Sequence, residues 1–377
     1  MNVQTAVVII IVVILILVVV IQFLAARRTN RSLSKYHREV FEDTESSDDD
    51  EPKIVKTGVT EVTEFDFMQA NHPRPSTVPT FERPANNKNH FSNLDDAGYR
   101  FQVSSFDKSR FEVESSKLPK NFSAITQWGG LISGVFDQER CGSCAFHATA
   151  SCLTDRIRIA SKGKNLSNGD YISPFHFAAC MKCGTQNACP RVCEGSYLDD
   201  VFQYTVDHGA VAQSDIEKYS QVGTEYMCFD YAAKGVAPWK AKSKYRVNIF
   251  PPSMLNDKNN LKLNEYAIMK DIYENGPVGA IFRIYVPLDT RNFYLHKSGV
   301  YGHGWKSEPT ATDGYHAIAI IGWGEDEIAK DQEGKPVKYW IIRNSWGVNW
   351  ADSGGFARIL RGQNLGHIEA DVWGLKI

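Results

Sequence analysis

Asp137-Gln138-Glu139-Arg140-Cys141-Gly142-Ser143-Cys144, continuing as AFHATASCLTDRIRIA to Ala160, is the stretch on which the reading of this chain turns. The residues from Ala145 to Ala160 have a composition that suits a helix, with neither Gly nor Pro. The Cys-Gly-Ser before them suits a turn, which sets Cys144 at the helix N-terminus. There, backbone N–H groups and the macrodipole favour a thiolate over a thiol, so a weak nucleophile becomes a strong one at neutral pH. A lone Cys at a helix start is structural more often than catalytic, so its partners matter.

Two later segments supply them. Asp313-Gly314-Tyr315-His316 leads into the apolar run Ala317–Gly324, which reads as a buried strand with an imidazole at its start. Tyr339–Arg343 reads as another strand, ending in Asn344-Ser345-Trp346-Gly347. An Asn amide oxygen that accepts one imidazole N–H fixes the tautomer and the ring orientation, and the other ring nitrogen is left to face the sulfur.

Gln138 with CGSC, the His316 segment and NSWG at 344–347 resemble the papain-like cysteine proteases. TDRI at 154–157, ENGPV at 274–278, KSGVY at 297–301, ILRGQ at 359–363 and LPKNF at 118–122 resemble the cathepsin B branch. The likeness covers residues 118–377. It implies an α+β fold of two lobes, one helical and one a β-barrel-like sheet, with a cleft between them, and an enzyme that cleaves protein or peptide substrates without a cofactor or metal. By position, the resemblance makes Cys144 the nucleophile, His316 the general base and then acid, and Asn344 the orienting residue. Gln138 becomes an oxyanion donor beside the Cys144 N–H, and Trp346 a cover that keeps water from the Asn–His contact. Core packing explains Trp346 equally well.

The chain departs from this pattern at several places. Ala145 follows the nucleophile where the family has Trp, and His147 reads as a polar position on the helix rather than a second base. Gly195 and Ser196 stand where the family has two glycines, so Ser196 adds a side chain where bare backbone pairs with extended substrate. Tyr315 is bulkier than the usual residue before the histidine. Asp371 aligns with an acidic residue at the bottom of the S2 pocket, which favours a basic P2 residue. Cys144 and His316 lie 172 residues apart, against roughly 130–150 for the papain and cathepsin pattern, so insertions lie between them, with 180–193 and about 221–265 as candidates. The cathepsin B branch that the chain resembles carries an occluding loop whose adjacent His pair receives a substrate's terminal carboxylate; no two His are adjacent here, so endopeptidase action is expected over trimming of dipeptides from a C-terminus.

All eight Cys and all eight Trp lie beyond residue 117, which separates a leader from a catalytic region. From Ala6 to Ala26 only Gln22 is polar, and the run spans roughly 31 Å at 1.5 Å per residue, about the thickness of a bilayer's hydrocarbon. Residues 1–27 therefore read as a transmembrane anchor, with 6–26 in the membrane. Residues 28–117, with the acidic stretch EDTESSDDDE at 42–51 and scattered Pro and Asn, read as a largely disordered tether and possible prosegment. Self-cleavage near Leu118 is the expected consequence. The 42 Lys plus Arg against 44 Asp plus Glu give a formal net charge of -2, so nothing attracts the chain to nucleic acid, and oligomeric state is not legible.

With Cys144 needed as a thiolate and Cys152 inside the helix, six cysteines remain, and they allow fifteen pairings. The resemblance makes Cys141–Cys193 the family-like bridge and leaves Cys228 to one of Cys180, Cys183 or Cys189. The rival reading is zinc, from the short spacings of Cys180, Cys183, Cys189 and Cys193. Bridges imply an oxidising compartment, hence a lumenal or exoplasmic, endo-lysosomal or virion-associated catalytic region. Arg27, Arg28, Arg31 and Lys35 after the apolar run argue the opposite orientation. The sequons at Asn30, Asn121 and Asn165 matter only if the region is lumenal. Two other readings share the motif: transglutaminase-like acyl transfer, disfavoured by the extent of the protease likeness, and a membrane-tethered binder that keeps the cleft without turnover.

Overall fold

Helices fill the first half of the described chain and strands the second. The computed structural model describes residues 116–139, 141–183, 193, 195–219, 228, 230–351 and 353–377; the anchor expected over 1–27 and all but the last two residues of the tether expected over 28–117 lie outside the described residues. The helices are α1 (Ala124–Trp128), α2 (Cys144–Ser161), α3 (Pro174–Ala178), α4 (Leu198–Asp207), α5 (Gln213–Tyr219) and α6 (Lys258–Asn275). The strands are β1 (Phe122–Ser123), β2 (Ser243–Arg246), β3 (Val278–Tyr285), β4 (Val300–Tyr301), β5 (Thr312–Lys330), β6 (Pro336–Arg343), β7 (Phe356–Leu360) and β8 (Val372–Lys376). They form one eight-stranded sheet in the order β2-β8-β3-β5-β6-β7-β4, with β1 added to β5. Only β4 and β7 run parallel. The fold is α+β with a mixed sheet, as expected. Among the described residues no helix is long and apolar enough to cross a membrane.

The long strand β5 explains how two cores form on one sheet. Ala317, Ala319 and Ile321 pack with α2, α3 and α4, while Ile318 and Ile320 pack in a second core with Phe282, Phe293, Trp340 and Trp350. That is the period-two alternation of a strand buried on both faces, which is why the run from 317 to 324 reads as continuously apolar. A register shift against β6 between Ile320 and Gly322 breaks the alternation. It lets β1 approach: Phe122 O would lie 2.2 Å from a Cβ placed on Gly322, so only glycine fits there.

Helix α2 is no surface helix. Fifteen of its eighteen residues, Cys144 through Arg158, are buried. Its charged residues are therefore paired. Asp155 meets Arg343 of β6 at 2.7 Å and accepts from Ser133 Oγ at 2.7 Å. Arg156 reaches Asp271 of α6, Pro277 O at 2.8 Å and Leu375 O at 2.7 Å. These buried ions join the helix to the sheet, and removing one partner strands the other.

Cys141 is bridged to Cys193, and Cys180 to Cys228. The bridge implied by the resemblance forms, and the partner of Cys228 is Cys180. Two of the four cysteines in the zinc-like spacing are thereby consumed, which removes the four-cysteine zinc reading. Cys189 lies outside the described residues, and among these no cluster of His, Cys, Asp or Glu suits a metal.

Candidate active site

Cys144 is the first residue of α2 and is 3% exposed. Ser143 N–H donates to Cys141 O at 2.7 Å, a tight turn that starts the helix where the sequence suggested. Cys144 and Ala317 lie in the same core, and the Ala317 backbone opposes the effect of burial on the Cys144 thiol. Ala317 follows His316 directly on β5, so this packing brings the imidazole's own strand against the helix start. His316 is 3% exposed, and its Nε2 stands 2.7 Å from Asn344 Oδ1. Because an amide oxygen only accepts, the Nε2 proton is fixed there and Nδ1 is the ring's free nitrogen.

Trp346 lies over this pair. Its ring stacks on His316 at 4.8 Å between centroids and on Tyr294 at 4.9 Å, with Phe293 and Trp350 at its edges. It belongs to the second core and also shields the Asn–His bond, so the shielding and packing accounts both hold. The loop carrying it is fixed by Gly347 N–H donating to Phe136 O at 3.0 Å. Gly347 has a positive φ of 73°, and a Cβ there would sit 2.6 Å from Asp137 Oδ2.

Gln138 is 5% exposed and held at both ends of its amide: Nε2 donates to Cys141 O at 2.8 Å, and Oε1 accepts from Ser345 Oγ at 2.5 Å. One Nε2 hydrogen is thereby engaged. Ser345 is the residue the sequence reading passed over. Its N–H donates to Asn344 Oδ1 at 2.8 Å, its carbonyl accepts from Gln138 N–H at 2.8 Å, and its hydroxyl fixes the Gln138 amide. It thus couples the Asn344 amide to the Gln138 amide. The signal lay in the second letter of NSWG.

The protonation states depart from the thiolate expected at a helix N-terminus. Burial pushes the Cys144 thiol up to about 11, against the opposing pull of backbone N–H groups. Burial also brings His316 down to about 4, with the Asn344 hydrogen bond opposing it. Desolvation outweighs the dipole, because a fraction of a charge at a helix end offsets only about 0.3–2 kcal/mol. With these shifts the buried thiol and the buried imidazole both favour their neutral forms.

The expected substrate-binding residues are placed as follows. Gly195 is buried at a positive φ of 81°, and Ser196 beside it is 9% exposed, so the hydroxymethyl group turns inward. Tyr315 is half-buried; Arg283 Nη2 donates to its hydroxyl at 2.6 Å, and the guanidinium lies over its ring. Asp371 is buried, accepts from Trp373 Nε1 at 2.7 Å and has Arg246 Nη1 at 3.4 Å. Burial raises it to about 6, with Arg246 opposing. Its charge already has a counter-ion, so a basic substrate residue competes with Arg246. His147, read as a polar helix position, is instead 4% exposed.

A family profile described as papain family cysteine protease matches residues 118–374. The chain belongs to the papain family of cysteine proteases. It is 33% identical over 275 residues to a gut-specific cysteine proteinase of Caenorhabditis elegans, covering 69% of this chain and 74% of that protein. It is 32% identical over 289 residues to cathepsin B-like cysteine proteinase 4 of the same organism, covering 70% and 77%. It is also 30% identical over 278 residues to human tubulointerstitial nephritis antigen, covering 69% of this chain and 54% of that protein. Among solved structures, procathepsin B S9 from Trypanosoma congolense aligns with a TM-score of 0.49 at 23% identity, covering 72% and 80%. The chain is a cathepsin B-like cysteine peptidase, and the alternative of transglutaminase-like chemistry is set aside.

Proposed function

We propose that this papain-family protein is a membrane-anchored thiol endopeptidase that works through Cys144, His316 and Asn344. The observation that carries the reading is the His316 Nε2–Asn344 Oδ1 bond of 2.7 Å beneath Trp346, on a strand whose next residue, Ala317, packs in the same core as Cys144. His316 Nδ1 takes the Cys144 proton as the sulfur attacks the scissile carbonyl. The free Nε2–H of Gln138 and the Cys144 N–H hold the oxyanion. The imidazolium then protonates the leaving amine, and water, deprotonated by His316, hydrolyses the acyl-enzyme. Gly195, Ser196 and Tyr315 flank the substrate strand, and Asp371 biases P2 towards basic residues only to the extent that substrate displaces Arg246.

Residues 6–26 hold the protein in a membrane with the catalytic region on the lumenal or exoplasmic side, where the two bridges persist. The segment before Leu118 acts as prosegment and is removed by the enzyme itself. The test is hydrolysis of a denatured protein substrate by the full chain in detergent, next to Cys144→Ala. Internal cleavages and loss of the leader in the native chain, both absent from the variant, are expected. Processing of Cys144→Ala at the same site and rate refutes self-cleavage, and a native chain without turnover favours the tethered binder.

A further inference from the structure

Beside Asn344 lies a small pocket with room for about one water, lined by residues that include Phe136, His147, Ser151, Arg343, Asn344 and Ser345. Two donors border it without a protein partner: Asn344 Nδ2 and Arg343 Nε, both fully buried. An orphaned buried donor costs about 1–3 kcal/mol, so each of the two demands an acceptor. Two acceptors border the same space. The His147 ring, held by the edges of Phe136 and Phe175, places Nδ1 3.0 Å from Ser143 O. A carbonyl only accepts, so Nδ1 carries the proton and Nε2 keeps a lone pair. Ser151 Oγ gives its own proton to Ala148 O at 2.9 Å and likewise keeps its lone pairs.

Two donors and two acceptors around a water-sized space match the hydrogen-bonding capacity of one water molecule. We infer that this cavity holds a structural water that accepts from Asn344 Nδ2 and Arg343 Nε and donates to His147 Nε2 and Ser151 Oγ, making His147 a positioning residue for the Asn344–His316 pair. The inference rests on the proposed role of Asn344. The Asn344 amide can be swapped end for end at little steric cost, and in the swapped state its NH2 faces the His316 Nε2–H and repels it. The water holds Nδ2 on the cavity side and, with the Ser345 N–H on Oδ1, keeps Oδ1 on His316. For that, His147 must stay neutral. Burial lowers it to about 4, against the Ser143 carbonyl and the charge of Asp137; the other charged groups on the facing elements are Arg343, already paired with Asp155, and His316.

His147→Phe keeps an aromatic ring and removes the acceptor; His147→Gln restores an acceptor near the Nε2 position. The full-length enzyme should lose about tenfold in kcat with little change in KM in His147→Phe, less than the 10²–10⁴ attached to the general base itself. Most of the loss should return in His147→Gln. Iodoacetate alkylation of Cys144 supplies the readout that mere misfolding does not move: the alkaline limb of its pH profile should shift to lower pH in His147→Phe, because a swapped amide no longer stabilises the imidazolium. Native kcat and an unmoved limb in His147→Phe overturn the inference, as does equal loss in both variants. A high-resolution structure of the native enzyme decides the matter even if neither variant folds or the chain proves not to turn over. Density within hydrogen-bonding distance of Asn344 Nδ2, Arg343 Nε and His147 Nε2 supports it, and a dry cavity or a turned ring refutes it.

Discussion

The thiol and the imidazole come from regions held together by different forces. Cys144 starts a helix that is buried nearly all round and fastened by ions: Asp155 to Arg343, Arg156 to Asp271. His316 and Asn344 belong to an antiparallel sheet held by its backbone ladder and by apolar packing on both faces. Ionic fastening fixes a helix's rotation and register, at the cost of dehydrating charges. The ladder fixes the strand without that cost. The site lies where one meets the other, so a single helix turn and a single strand residue set the distance over which the proton moves.

The largest expected effect is catalytic and sits on the sheet side. Asn344→Ala should lower kcat by about 10²-fold or more with the fold intact, since the imidazole loses its tautomer and orientation. Near-native turnover by the folded variant would show that the sheet alone orients the ring. Next, on the helix side, Arg156→Ala should cost about 3–5 kcal/mol in urea unfolding, because Asp271 is left buried without its partner. A cost near 1 kcal/mol would mean that the ionic fastening contributes little.

Acid should separate the two regions. His147 and His176 on the helix side, and His296 and His316 on the sheet side, are each lowered by burial from 6.5 to about 4. A depressed native value means the unfolded chain binds the proton first. The stability these residues contribute is thus full above about pH 6.5 and drains away as pH falls towards 4. On the sheet side Glu369, raised to about 7, and Asp371, raised to about 6, work oppositely and gain stability as they protonate. Between pH 7 and 5 the molecule should lose a few kcal/mol overall. Amide exchange should speed up in α2 and α3 before β5 and β6; earlier opening of the strands contradicts this. The smallest effect belongs to the sheet's packing: Ile320→Val should cost about 0.5–1.5 kcal/mol and leave kcat unchanged.

Much of this was legible in the sequence. The Cys-Gly-Ser turn, the helix from Cys144 and the strand ending at Arg343 before Asn344 stand where composition and periodicity put them, because local pattern and burial agree there; β5 begins four residues before His316 rather than at it. The helix dipole at Cys144 was legible too, but its effect was not, since depth of burial is a tertiary quantity and desolvation outweighs it. Cys228 found Cys180 by proximity in space, which spacing along the chain does not encode. The buried Asp155 and Arg156 look like surface residues in a sequence, and only their partners, more than a hundred residues away, explain them.

The most direct test is the pH at which Cys144 reacts. A thiol held near 11 by burial is inert to iodoacetamide at pH 7 unless an imidazole takes its proton. Alkylation of the mature enzyme, mapped to the residue by mass spectrometry, should therefore modify Cys144 and spare Cys152 at pH 6–7, and His316→Ala should push that reaction to alkaline pH. A native Cys144 that stays unreactive until pH 10, or one equally reactive without His316, would contradict the account.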